Sequence, residues 1–487
     1  MTKPSRRVHQ ALPLPAGRLG LLCSCLLLGS CATRDSKYQL GAEWPGTEPV
    51  VKLDSYESVQ RRPGQRRDVA VAVAISGGGM RAANFASGVL MALETIEVRG
   101  AGGTRSNLLR EVDYFSTVSG GGMAAGSYMV ELLDYLQKHP EDPSGAGFSF
   151  AAAAEDADGS EGWRKSLSRN YQSSLAGSLV NPLMLGSLDR GDILENRLDA
   201  QVLGRPAGRS LTLRDVFVPR GGGVPRVPYW VTNATVYENG AIFPFTPDMM
   251  SRYSVSGYKH RLRRFDLDDP YDMPLAVGLK ASASFPAAIP PTTLQSTRDP
   301  RHPRLHLMDG GLADNLGFIT ALRLLHQDKA PVKILIVIDA YNGRMEPFSK
   351  TVSPPGLVLS VLRTTSISLD SAHQHVRALL NVSTGQTGVD FTVIDFDQVL
   401  RDAAPQHNEG TPSGQDSVAD SSRRESGMSP QSIQGLFTQA LGVGTRFKIS
   451  RADQEVLIRA GESAVFRYGP SGKRDLEPGM KVLRDRF

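Results

Sequence analysis

Between residues 69 and 75 valine and isoleucine alternate with alanine, so both faces of the segment are apolar. A strand written that way is buried on both sides, as in a parallel sheet covered by helices, and its alanine face lets a helix pack close. A helical spacing follows through Glu94, with Ala83, Ser87 and Gly88 on one small-residue face. Residues 114–118 are rich in strand formers, and Met123, Ala124 and Ala125 favour a helix after them. Further buried strands are predicted at 229–236, 305–307, 333–338 and 391–396, with Asn239-Gly240 turning a hairpin into 241–245. Residues 356–380 have helical spacing, and 432–464 read as two closing helices. Strands alternating with helices in this way predict an α/β fold with a mostly parallel central sheet flanked by helices. Phe243, Phe245, Met249 and Met250 are expected in the core rather than at a lipid-facing mouth.

Other stretches lack such patterning. Residues 32–68 are polar, with Pro45, Pro49 and Pro63, and read as a tether. Residues 140–162 read as a mobile insertion, and 402–430, rich in Ser, Gly, Asp and Pro, as disordered. At the start, Lys3, Arg6, Arg7 and Arg18 precede an apolar run at 19–28 that is too short to span a bilayer. This predicts an export signal over 1–30. Its end, Leu28-Gly29-Ser30-Cys31, resembles a bacterial lipobox, in which the chain is cut before a cysteine that then carries lipid. Arg6-Arg7 also hints at a twin-arginine signal, although His9 stands where an apolar residue is usual.

Composition narrows the function. Within 487 residues there is room for one large domain plus an extension, and 40% hydrophobic with 22% charged residues is ordinary globular usage. The net charge of +5 is scattered, which argues against nucleic acid as a partner. The run Lys259, Arg261, Arg263, Arg264 is followed at once by Asp266, Asp268 and Asp269, a solvated mixed surface; contact with anionic lipid is its sharper reading. The three cysteines, Cys23, Cys25 and Cys31, leave no zinc or disulfide framework for the body of the chain. Cleavage at the lipobox would remove the first two, which suits an oxidising compartment.

Three glycine-framed segments carry candidate chemistry. Thr117-Val118-Ser119-Gly120-Gly121 sits between a strand and a helix, the place of a nucleophile elbow; the plainer reading is a glycine-rich connector. Gly77, Gly78 and Gly79 follow the first strand and open a helix, so their N–H groups can face an anion. Gly77-x-Gly79-x-x-Ala82 also fits a dinucleotide fingerprint, but the next strand begins with Asp113 and ends at Ser119, with no acid closing it. Two such turns on successive strands, one bearing a serine, favour an oxyanion hole. Met308-Asp309-Gly310-Gly311 ends a short strand with a carboxylate, in either a catalytic place or a simple Asp-Gly turn. Among the histidines, His306 falls on the face of its strand opposite Asp309, and His373 and His375 lie in a helical run.

Taken in order, SGGGMRAANFASGVLMALE, STVSGGG and DGGLADN resemble the bacterial branch of the patatin-like phospholipase family, with ASASFPAAIPP and KILIVIDA in support. The likeness covers roughly residues 69–345. It implies a three-layer hydrolase with a Ser-Asp dyad and no catalytic histidine. Ser119 would be the nucleophile and Asp309 its base. Gly77, Gly78, Gly79 and Gly120 would supply oxyanion donors, and Arg81 takes the family's arginine position beside that loop. The family usually has Asp at Ser76, Gly at Ala82 and Gly at Thr117. The implied substrate is a phospholipid acyl ester, with no metal or cofactor. Residues 346–487 would complete the fold as an extension. Together with Cys31, the resemblance gives an exported enzyme anchored by lipid to a bacterial membrane, the outer one if Ala32 sets sorting. A soluble ester or thioester is the alternative substrate, and a degenerate binding protein the alternative function.

Overall fold

The computed structural model describes residues 62–154, 162–171, 189–204, 209–217, 227–260, 263–286, 288–341, 357–383, 388–396, 430–468 and 474–487. The expected signal, Cys31, most of the tether and the stretch 402–429 lie outside the described residues.

Ten strands form one sheet. They are β1 (Val69–Ile75), β2 (Tyr114–Thr117), β3 (Tyr229–Val236), β4 (Ile242–Pro244), β5 (Val255–Lys259), β6 (Arg264–Asp266), β7 (Thr292–Ser296), β8 (Arg304–Asp309), β9 (Val332–Asp339) and β10 (Asp390–Asp395). The spatial order is β10-β9-β1-β2-β3-β8-β7-β5-β6, with β4 paired to β3. From β10 to β3 every pairing is parallel, and from β3 outward every pairing is antiparallel. Among the described residues, the α-helices of eight or more residues are α1 (Gly79–Glu94), α2 (Gly120–Lys138), α3 (Arg190–Gln201), α4 (Leu275–Ser282), α5 (Phe318–Gln327), α6 (Leu357–Ser383), α7 (Pro430–Gly442) and α8 (Arg451–Ala464).

The apolar runs did set the parallel half. All seven residues of β1 are buried, as are all of β2 and β3. α5 packs on β1 and β2, α4 on β3 and β8, and α1 between α2 and α8. The contact of α1 with α8 is backbone-close: a Cβ on Gly88 would stand 2.0 Å from the Ile458 carbonyl oxygen, and one on Gly461 2.0 Å from that of Phe85. Phe243, Phe245, Met249 and Met250 are core residues, as expected.

Two expectations change. The chain is held before Val69: Arg62 is buried, with its guanidinium on the Val112 carbonyl (3.1 Å), and the Gln65 amide donates to the Arg110 carbonyl (2.8 Å). The expected mobile insertion is also packed over 140–154. Phe150 is fully buried, stacks on Trp163 at 4.7 Å between centroids, and accepts the indole N–H through its carbonyl (2.9 Å). Two aromatics thirteen residues apart, buried together, outweigh a polar and alanine-rich local composition.

Candidate active site

Because β1 and β2 are parallel neighbours, the loops after them emerge side by side. Ser119 closes the second loop with φ 49° and ψ −120°, a positive φ in a residue with a Cβ. Such strained turns persist only where the surroundings over-determine them. Here the determinants are short distances. A Cβ on Gly120 would lie 1.9 Å from the Gly79 carbonyl oxygen, and one on Gly121 2.7 Å from those of Ile75 and Ser76. Only glycine lets α2 start pressed against the first loop. The Ser119 N–H donates to Ser282 Oγ (2.8 Å), fixing the turn to the end of α4. Thr117 does not crowd this turn. Its hydroxyl donates to the Val231 carbonyl (3.2 Å) and accepts from the Trp230 indole (3.0 Å), so the branched side chain is spent on β3.

Asp309 arrives from the antiparallel half, at the end of β8 opposite Ala234 of β3. Its N–H donates to the Ser284 carbonyl (3.0 Å), and its carboxylate accepts the Gly311 N–H (2.8 Å). Ser119 and Asp309 are each 6% exposed. Burial pushes the Asp309 carboxyl up to about 7, opposed by the Gly311 amide and by the nearby Ser119 hydroxyl, which both favour its ionised form. A carboxylate with that affinity for a proton is matched to accepting one near neutral pH.

The first loop differs from expectation at one position. The Gly77 N–H donates to the Asn315 carbonyl (2.9 Å), so Gly77 leaves the set of oxyanion donors. Its glycine is needed for space instead, since a Cβ would meet Asn315 Oδ1 at 2.4 Å. Gly78 (φ 143°) and Gly79 (φ 58°) turn the chain into α1. Among the described residues none accepts from the amides of Gly78, Gly79 or Gly120. These three N–H groups at two helix starts form the available donor set, where helix dipoles also favour negative charge. Arg81 is buried beside them. Its Nη1 donates to the Val443 carbonyl (3.3 Å), and its Nη2 lies 3.5 Å from where a Gly78 Cβ would stand. Burial pulls its guanidinium down to about 10, opposed by Asp339. Ser76 accepts the Ala340 N–H through Oγ (2.9 Å), an acceptor's task that suits the Asp usual there. With Gly77 committed to Asn315 and the next strand running into Ser119, the dinucleotide reading lacks both its first glycine amide and its acid.

A closed, apolar cleft adjoins Ser119, lined by Met123, Tyr171, Leu194, Leu198, Leu279, Ala283 and Phe447. Sequence reasoning missed this lining, and missed Ser282, Ser284 and Asn315. All three lay in segments with a visible signal: Asn315 closes the DGGLADN block, and Ser282 and Ser284 lie in ASASFPAAIPP. Beside Asn315, Asp314 is buried and accepts from the Leu316 (3.1 Å) and Ile319 (2.8 Å) amides at the start of α5.

The histidines are engaged elsewhere. His373 pairs with Asp339 (3.2 Å), His260 with Glu195 (2.8 Å), His306 with Glu238 (2.7 Å), His302 with Asp299 (3.0 Å) and His139 with Glu141 (3.0 Å). His326 and His375 are exposed, and His407 lies outside the described residues. No cluster of metal-ligating side chains and no helix long and apolar enough to cross a membrane occurs among the described residues.

Two solved structures resemble the fold: human GIVD cytosolic phospholipase A2, at 12% identity and TM-score 0.36, and the same protein with methyl gamma-linolenyl fluorophosphonate, at 14% and 0.38. Each alignment covers 82% of this chain, and 58% and 57% of those chains. The chain thus spans less than two thirds of their length. No curated protein matches the sequence. The sequence profile described as "Patatin-like phospholipase" matches residues 73–322, from β1 through the elbow and Asp309 into α5. That match takes in just over half of the chain and every glycine-framed segment of the site: the chain belongs to the patatin-like phospholipase family.

Proposed function

We propose that this protein hydrolyses fatty-acyl esters of phospholipids through a Ser119–Asp309 dyad. The family gives the class, lipid acyl hydrolase. The observation that supports the finer reading is the buried juxtaposition of Ser119, on its strained turn, with the Asp309 carboxylate, whose proton affinity burial raises towards neutral pH. Serine at its free pKa is a weak nucleophile and needs such a base.

Ser119 Oγ attacks the ester carbonyl carbon while its proton passes to Asp309. The carbonyl oxygen becomes an oxyanion facing the Gly78, Gly79 and Gly120 amides. The C–O bond to the glycerol oxygen breaks, and Asp309 returns the proton to that leaving alkoxide. Water then gives its proton to Asp309 and attacks the acyl-enzyme, releasing fatty acid and restoring Ser119. A carboxylate is a weaker base than imidazole, so the donors carry much of the barrier; each is worth about 3 kcal/mol. Arg81 adds fixed positive charge behind Gly78.

The apolar cleft favours an acyl chain over a small polar ester. Cys31 would add the lipid that keeps the enzyme on a bacterial membrane, probed by comparing fractionation of wild type with Cys31→Ala. The substrate reading is tested with purified enzyme on phospholipid vesicles and on a water-soluble short-chain ester. Fatty-acid release that favours the vesicles is expected. A rate confined to the soluble ester would move the assignment to a soluble-ester hydrolase, and no turnover of either to a binding protein.

A further inference from the structure

One residue of the cleft lining, Phe447, comes from outside the family-matched residues. Between α7 and α8 the chain forms a strap over residues 443–450. Both ends are rooted in the core, Val443 at 8% and Ile449 at 6% exposure. Its middle lies on the glycine loop. The Met80 N–H, an amide in the open first turn of α1, donates to the Arg446 carbonyl (2.8 Å). A Cβ on Gly79 would stand 2.6 Å from that same oxygen. Arg81 reaches the Val443 carbonyl, and the Tyr171 N–H donates to the Phe447 carbonyl (3.0 Å). Three hydrogen bonds therefore hold the strap that carries Phe447, and its ring lines the cleft with Ser119.

We infer that Phe447 is a specificity-determining residue: the strap holds its ring as the wall that sets which acyl chains reach Ser119. This rests on the acyl-hydrolase reading above. The other residues lining the site are leucines, a methionine and an alanine from α2, α3, α4 and the residue after it, with Tyr171, so a group seated beside the ring lies in apolar surroundings that favour hydrocarbon. Each methylene buried there is worth about fourfold in kcat/KM. Shrinking the ring lengthens the usable chain, and enlarging it shortens it.

The test is kcat/KM for a series of p-nitrophenyl esters from acetyl to palmitoyl, with wild type, Phe447→Leu, Phe447→Ala and Phe447→Trp. The optimum is expected to move to longer chains in Leu and further in Ala, and to shorter chains in Trp. If Phe447→Ala fails to fold, the opposite shifts of Leu and Trp carry the result. An unchanged profile, or a uniform loss across the series, in variants of an active wild type would overturn this inference alone. No hydrolysis of any ester by wild type would overturn it together with the proposed function.

Discussion

Asp309 joins two demands that conflict. As the proposed base it must ionise to take the Ser119 proton, yet it is buried, which raises its pKa to about 7. Turnover should therefore rise with pH through about 7 and level off above it, as a pH profile of kcat/KM on a soluble ester will show. That window overlaps histidine's, so the profile alone does not separate dyad from triad; His373→Gln and His260→Gln, each expected to keep most activity, do. The same shift bears on stability. Asp309's folded pKa lies above its unfolded one, so its contribution is full below the unfolded value near 4 and is lost as pH rises through about 7. Asp309→Asn should then melt higher than wild type at about pH 8, by an amount on the order of a few kcal/mol, and alike at about pH 4. Calorimetry at the two pH values checks it. Ser119 and Asp309 were legible in sequence because each sits in a glycine-framed turn. The loss of the Gly77 amide was not, because its acceptor, Asn315, comes from a distant segment.

At the scale of elements, the parallel half of the sheet was legible, as were β4 and β8, and the rest of the antiparallel half was not. β1 is a continuous apolar run, β9 carries one at 334–338, and every residue of β2 and β3 is buried, as a sheet covered on both faces requires. β5, β6 and β7 are short and mix polar with apolar residues, the signature of an edge region that reads like loop. The elbow's departure from a glycine at position 117 is likewise explained across elements. Thr117 holds the Trp230 indole, so Thr117→Val should leave that N–H unpaired and cost about 1–3 kcal/mol in denaturant unfolding. Gly78→Ala forces a Cβ onto a φ of 143° and should lower kcat sharply while the circular dichroism stays native.

Across the whole molecule, the C-terminal third is structurally committed to the catalytic half. α8 lies on α1 with both backbones in contact at Gly88 and Gly461. β10 covers the edge of β9, and Arg377 of α6 bridges Asp339 and Asp395 at 2.7 Å each. Gly461→Val should push α8 off α1 and cost about 3 kcal/mol or more, read as a lower unfolding midpoint. Sequence periodicity found α7 and α8 but not what they cover, because helical spacing gives a buried face and not its partner.

The central claim is that Ser119 and Asp309 act as one catalytic unit. It is tested most directly by the rate of acyl-ester hydrolysis in folded Ser119→Ala, Asp309→Asn and the double variant, measured side by side. Residues that work as a unit lose activity together, so each single variant should fall by about a thousandfold or more and the double should be hardly worse. An Asp309→Asn enzyme that turns over near the wild-type rate would contradict the dyad.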